Sequence, residues 1–237
     1  RKGIPSIKMS DGPNGVRGDS NSGKSSACFP CAISISSSWD LDQVKKIGVA
    51  LGEEAQAKDV DVLLGPTINI HRHPLGGRHF ESFSEDPFLT GKIASSYVQG
   101  VQSRNVAACL KHFVGNDTEF ERHSISSNID EQTLREIYLL PFEIGVKEGN
   151  AKVVMSAYNK LNNIYCSSHQ ELLIDILKKE WGFDGYVVSD WGAALETEEN
   201  ANGGLDLEMP GPGNVWGNAL IEAIKSKRVA EDLIDDK

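Results

Sequence analysis

Two hydrophobic rhythms alternate along the chain. Short, nearly unbroken apolar runs at 60–64, 106–110, 152–156, 185–189 and 205–209 predict strands buried on both faces. Between them apolar residues recur at helical spacing. Asp40 is placed to cap a helix whose stripe is Leu41, Val44, Ile47 and Leu51. Asp86 followed by Pro87 opens a second, with Ile93, Tyr97 and Val101 on one face. Asp130 caps a third that carries Leu134, Ile137 and Tyr138 before Pro141 is expected to interrupt it. Leu172, Leu173, Ile176 and Leu177 mark a fourth, ended by Gly182, and a fifth covers 219–224, ahead of the acidic stretch 231–236.

Strand followed by helix, repeated, is the pattern of a parallel sheet. No linker, repeat or low-complexity tract divides the chain, and the Gly/Ser crowd at 19–26 reads as a surface loop, so 1–237 is expected to be one domain. The glycine-rich dinucleotide and phosphate fingerprints of doubly wound sheets are absent. The expected fold is therefore α/β, a (β/α)8 TIM-type barrel. The same absence speaks against NAD and ATP, and no cofactor is expected.

Composition narrows the partners. With 237 residues, 39% hydrophobic and 24% charged, the chain has globular proportions rather than those of a disordered or fibrous one. No run approaches a membrane-spanning length, and a net charge of −10 with scattered Lys and Arg is wrong for a nucleic-acid surface. A neutral small molecule suits it better, and a homo-oligomer is left open. Cys28 and Cys31 form a Cys-Phe-Pro-Cys pair, open to reading as half a zinc site, a redox pair, a local disulfide or plain structural cysteines; no second pair with ligand spacing follows, which favours the last. His71-Arg72-His73 lacks a third ligand, so no metal is assigned.

Polar residues gather just past the predicted strands, where barrel active sites are built. The run 106–110 leads into Lys111-His112, 152–156 into Tyr158-Asn159, and 185–189 into Asp190-Trp191. A carboxylate beside an indole fits a sugar site, since aromatic rings stack on the apolar faces of pyranoses. Such an Asp equally fits a helix cap.

Five separated motifs carry a resemblance. Residues 10–17 (SDGPNGVR), 76–87 (GGRHFESFSEDP), 111–113 (KHF), 155–160 (MSAYNK) and 188–191 (VSDW) resemble, in order, those of glycoside hydrolase family 3, and with 204–212 (GLDLEMPGP) they are most similar to its β-glucosidase branch. The resemblance implies retaining hydrolysis of terminal β-D-glucosyl residues of a β-glucoside or oligosaccharide, as in cellulose degradation. It makes Asp190 the nucleophile, kept ionised by neighbours that hold its pKa low. It makes Asp11, Arg78, Lys111 and His112 ligands of the sugar hydroxyls, supported by Arg17, with Met155 as a pocket wall, Tyr158 near the nucleophile and Trp191 stacking on the ring. Arg78 and Lys111 equally have Glu81 and Asp117 as candidate ion-pair partners.

A retaining glycosidase needs a second carboxyl as acid/base. The resemblance places it on a C-terminal α/β sandwich domain, so the chain is expected to be a fragment, its barrel incomplete at both ends. The family's single-domain β-N-acetylglucosaminidases use an Asp-His pair after Lys-His-Phe; here that loop, 114–123, ends in Glu121-Arg122-His123, which favours the glucosidase branch. Two other readings stand beside it: a sugar-binding fragment without turnover, and an unrelated barrel using Lys111 as a Schiff base. The sequon Asn116-Asp117-Thr118 lies too close to Lys111-His112 for a glycan to fit comfortably.

Overall fold

The computed structural model describes residues 5–19 and 24–237. Residues 20–23, at the centre of the expected Gly/Ser loop, lie outside the described residues. The strands are β1 (Met9–Ser10), β2 (Val62–Leu63), β3 (Ala107–Phe113), β4 (Ser126–Ser127), β5 (Val153–Ser156), β6 (Lys160–Leu161), β7 (Ile164–Tyr165) and β8 (Tyr186–Ser189). Five of them pair in parallel in the order β1-β2-β3-β5-β8, and β4-β6-β7 form a small separate sheet. The helices are α1 (Ala32–Ser36), α2 (Leu41–Ala57), α3 (Pro87–Gln102), α4 (Glu131–Thr133), α5 (Leu140–Lys147), α6 (Thr197–Gly203), α7 (Asn218–Lys225) and α8 (Asp232–Asp236), with π-helical turns at Leu134–Leu139 and Glu171–Glu180.

The unbroken apolar runs are explained by alternation across the sheet. Val62, Leu64, Cys109, Val153, Met155 and Val188 pack together on one face. Their neighbours Leu63, Ala108, Leu110, Val154 and Val187 belong to the larger core that includes α2, α3 and α5. Both faces are therefore dry, as a barrel strand requires. This is an α/β parallel sheet with the strand order of a (β/α) barrel that is not closed among the described residues.

The predicted caps hold. Asp40 accepts from Gln43 N at 2.9 Å, Asp86 from Leu89 N at 2.8 Å and Asp130 from Thr133 N at 3.0 Å. Helices α2 and α3 cross in close contact because glycines meet there. A Cβ on Gly48 would lie 2.5 Å from the Tyr97 carbonyl oxygen, and one on Gly100 2.3 Å from that of Lys45.

One expectation is sharpened and one needs correction. The interruption at Pro141 is a change of register rather than an end: the π-helical turn before it shifts the hydrogen bonding, so that Pro141 falls in the first turn of α5, where no backbone N–H is needed. The run 205–209 is not a strand but a single parallel bridge, Leu207 to Val188. Asp206 turns its carboxylate onto Val187 N at 2.7 Å, and Pro210 follows with no N–H to donate, so the ladder stays short.

Candidate active site

The C-terminal ends of the parallel strands converge on a cleft of about 320 Å³ lined by Asp11, Arg78, Lys111, His112, Arg122, Met155, Tyr158, Asp190 and Trp191. Each arrives by a local device. Asp11 follows β1 and opens a turn in which Arg17 N donates to the Asp11 carbonyl at 2.9 Å. The Glu54 carboxylate, on α2, fixes that turn from behind, accepting from Val16 N and Ala27 N, each at 2.6 Å.

Lys111 and His112 are consecutive in β3 yet both line the cleft. In a regular strand they would face opposite ways; the β3–β5 register shifts between Leu110 and Phe113, and such an irregularity re-aims side chains. Asn69 then holds His112, its Oδ1 accepting from His112 N at 2.9 Å and lying 3.1 Å from Nδ1, while its Nδ2 donates to the His112 carbonyl at 2.9 Å. This network places the ring proton on Nδ1 and leaves Nε2 an acceptor. His112 is buried, and burial, with Lys111, Arg78 and Arg122 nearby, holds its pKa well below the usual imidazole range. Its approach to Asp190 Oδ2 at 3.7 Å is therefore not an ion pair.

The cations are held by carboxylates. Lys111 Nζ donates to Asp11 Oδ1 at 3.1 Å. Arg78 binds Glu81 through two nitrogens, each at 3.1 Å. Glu119 spans Arg78 at 3.8 Å and Arg122 at 2.5 Å. Arg122 lies over the Tyr158 ring at 4.7 Å, and the His123 ring meets the same tyrosine edge-on at 4.3 Å.

Asp190 ends β8. Trp191 N donates to its Oδ1 at 2.7 Å, and the Tyr158 hydroxyl donates to the Trp191 carbonyl at 2.9 Å, fixing the turn. Burial, with the Asp190 charge beside it, pushes the Tyr158 phenol up to about 12, so it remains a donor. Asp190 Oδ2 is buried with no hydrogen-bond partner. The expectation that its neighbours hold the Asp190 pKa low is corrected: burial raises it above the ordinary carboxylate value, and the Trp191 amide, Lys111, Tyr158 and Arg78 only oppose that rise.

Of the residues named from sequence, Asp11, Arg78, Lys111, His112, Met155, Tyr158, Asp190 and Trp191 share this cleft. Arg17 does not line it; it lines an adjoining cleft, its guanidinium 3.9 Å from Asp11 Oδ2 and largely exposed. Lys111 pairs with Asp11 rather than Asp117, whose Oδ1 accepts from Ile70 N at 3.2 Å. Arg122, Glu119 and Asn69 were missed. Arg122 sits in the very loop that sequence directs attention to after Lys-His-Phe, but nothing in its spacing tells that it points inward. Asn116 is buried, so its amide is not presented for glycosylation. No group of three metal-ligating side chains occurs among the described residues.

Three guanidinium or ammonium groups, a buried neutral imidazole, an acceptor carboxylate and a half-exposed indole surround Asp190, whose Oδ2 has no hydrogen-bond partner, and supply the donors and acceptors that a polyhydroxylated ring requires. The fold is of the (β/α) barrel class, with a polar cleft at the C-terminal ends of its strands. A model of the Glycosyl hydrolase family 3 N terminal domain matches residues 1–237, and the chain belongs to that family. It is 52% identical over 236 residues to a beta-glucosidase of Rhizobium radiobacter, covering 99% of this chain and 29% of that protein. It is 50% identical to beta-glucosidase B of Emericella nidulans, covering 100% of this chain and 28% of the relative. Among solved structures it resembles beta-glucosidase 3B of Thermotoga neapolitana in complex with alpha-D-glucose, with a TM-score of 0.94 and 43% identity over 99% of this chain and 34% of that one. The Kluyveromyces marxianus beta-glucosidase in complex with glucose gives a TM-score of 0.95 at 46% identity, over 99% of this chain and 29% of that one. The chain therefore spans about a third or less of the length of these relatives.

Proposed function

We propose that this chain carries the glycone site and the nucleophile of a retaining β-glucosidase, acting on terminal β-D-glucosyl residues. The observation that carries the reading is the Asp190 carboxylate at the wall of the cleft: buried, fixed through Oδ1 by the Trp191 amide, and with Oδ2 making no hydrogen bond. The relatives named beta-glucosidase, and the two related structures in complex with glucose, support it.

In this mechanism Arg78, Lys111 and Arg122 donate to ring hydroxyls, Asp11 and His112 Nε2 accept from them, and the Trp191 indole flanks the ring. Binding energy gathered at those hydroxyls holds the anomeric carbon against Asp190 Oδ2. A bond forms between Oδ2 and that carbon while the glycosidic bond breaks, its electron pair leaving with the aglycone oxygen. Burial raises the free energy of the Asp190 anion in the empty site, and formation of the neutral ester removes that charge. Water then attacks the anomeric carbon, giving its proton to a general base, while the Oδ2–carbon bond breaks and returns its electron pair to Asp190, releasing glucose.

A natural leaving group needs a proton from an acid about 5 Å from the nucleophile. The second carboxylate lining the cleft, Asp11, is engaged by Lys111, and the nearby Glu81 and Glu119 are engaged by arginines. We assign the acid/base to a group outside residues 1–237, on an α/β sandwich domain following the barrel.

Treatment with 2,4-dinitrophenyl 2-deoxy-2-fluoro-β-glucoside tests the nucleophile. Its leaving group departs unaided, and the fluorine slows release of the ester. Peptide mass spectrometry is expected to place the label on Asp190, with none taken up by Asp190→Asn. A label on any other residue overturns the assignment.

A further inference from the structure

The Cys28/Cys31 pair has no part in the chemistry above, and the structure shows where it stands. Both thiols are free and exposed, whereas Cys109 and Cys166 are buried. Both line a second cleft, of about 550 Å³, whose wall includes Asp11, Arg17, Phe29, Arg78 and Lys111. Asp11, Arg78 and Lys111 also line the sugar cleft, so the two spaces meet at these side chains.

The segment bearing the thiols is fastened to the Asp11 turn. Phe29 N donates to the Asn14 carbonyl at 2.8 Å, and Asn14 Nδ2 donates to the Pro30 carbonyl at 2.5 Å. The Ala27 carbonyl lies so close to Gly15 that a Cβ there would be 1.9 Å from its oxygen. Residues 24–31 contain no turn or helix, and the two thiols are free rather than joined to each other. Free, exposed thiols are accessible to small reagents in solution, which the buried Cys109 and Cys166 are not.

We propose that Cys28 and Cys31 form a thiol-modification site that takes low-molecular-weight disulfides as mixed disulfides, and that an adduct there hinders sugar entry from the Asp11 side. The cysteine thiolate, its proton lost to solvent, attacks one sulfur of the incoming disulfide. A new S–S bond forms, the old one breaks, and the second sulfur leaves as a thiolate carrying the electron pair. The cysteine is oxidised and the leaving thiol reduced. The hindrance rests on the sugar reading of the cleft; the thiol chemistry does not.

The test uses the 237-residue chain and 5,5′-dithiobis(2-nitrobenzoate), whose released thiolate is counted by absorbance. Two thiols are expected to react in the native chain and four after denaturation, with peptide maps placing the native adducts on Cys28 and Cys31. Cys28→Ser/Cys31→Ser should take up no label while native. Glucose titration by calorimetry is expected to show affinity at least about tenfold weaker in the labelled chain, restored by reductant, and unchanged in the double variant before and after reagent treatment. Native labelling below one equivalent, labelling of Cys109 or Cys166 instead, or a labelled chain that loses both reagents to an internal disulfide overturns the site. Equal glucose affinity in labelled and unlabelled chains overturns the hindrance. If the unlabelled chain binds no glucose, the sugar reading falls, and the label count alone decides the thiol site.

Discussion

Replacing Lys111 with Met separates the two roles that the cleft gives to this buried ammonium. Its side chain is 4% exposed and donates to Asp11 Oδ1 at 3.1 Å. At an effective dielectric constant near 20, unit charges at that distance attract by about 5 kcal/mol. Asp11 is 45% exposed, so solvent screens much of that, and burying the ammonium costs several kcal/mol in return. Met fills a similar volume and leaves no buried charge alone, because Asp11 keeps water and the Arg17 guanidinium at 3.9 Å. The net change in stability should be within about 1 kcal/mol, a Tm shift of about 2–4 °C at most for a chain of this size.

Sugar recognition should suffer far more. A charge-assisted hydrogen bond to a ring hydroxyl is worth about 1.5–3 kcal/mol, so the second-order rate of Asp190 labelling by the fluoroglucoside should fall about 10- to 100-fold. Its pH dependence should also move. Lys111 opposes the rise in the Asp190 pKa, so its loss lets that pKa climb further. A smaller fraction of the nucleophile is then ionised on the acid side, and the acid limb of the labelling profile shifts to higher pH. The measurement is labelling rate against pH for both proteins, with Tm recorded alongside. A rate within twofold of the parent and an unmoved acid limb would refute the role assigned to Lys111.

Three other outcomes are expected. Glu54→Ala removes the acceptor of Val16 N and Ala27 N and should lower stability by about 1–3 kcal/mol, read as a lower urea midpoint, with weaker glucose binding because the Asp11 turn slackens. Burial pushes Asp117 up to about 6, so the folded chain holds a proton that the unfolded chain, with its lower pKa, has lost between about pH 4 and 6. That group's ionisation therefore works against folding above about pH 6, and Asp117→Asn, which keeps the acceptor for Ile70 N, should raise the Tm at pH 7 and flatten its pH dependence; a Tm unchanged at pH 7 and still falling from pH 4 to 6 would contradict this. Finally, the chain alone should release dinitrophenol from 2,4-dinitrophenyl β-glucoside yet be nearly inert toward cellobiose, whose alkoxide leaving group needs the proton that general acid catalysis supplies, about 10²- to 10⁴-fold in rate. Efficient cellobiose hydrolysis would place the acid within the loop 114–123, with Glu121 and His123 the first candidates.

The sequence shows best what depends on residue type and period. Val153, Met155 and Val188 face one way and Val154 and Val187 the other, and an unbroken apolar run reports that double burial directly. The caps at Asp40, Asp86 and Asp130 are equally legible because a single side chain next to a single amide decides each. What hid was set by tertiary context. β1, β4, β6 and β7 are two-residue strands with no periodicity to detect, and Pro141 is tolerated only because a π-helical turn changes which amide it occupies.

The site divides the same way. Asp190, Lys111 and Tyr158 could be named from their motifs, whereas Arg122 enters the cleft through Glu119 and the face of Tyr158, contacts that no local pattern records. The sign of the Asp190 pKa was misread for a related reason: sequence displays the cations that would lower it but not the burial that outweighs them. That balance bears on mechanism. A carboxylate made costly by burial, with one oxygen lacking a hydrogen-bond partner, gains from neutralisation, and the proposed mechanism supplies it through bonding to the anomeric carbon. Lys111 and Arg78 oppose that burial, so in the proposed mechanism Lys111 acts on the charge of Asp190 as well as on the sugar hydroxyls.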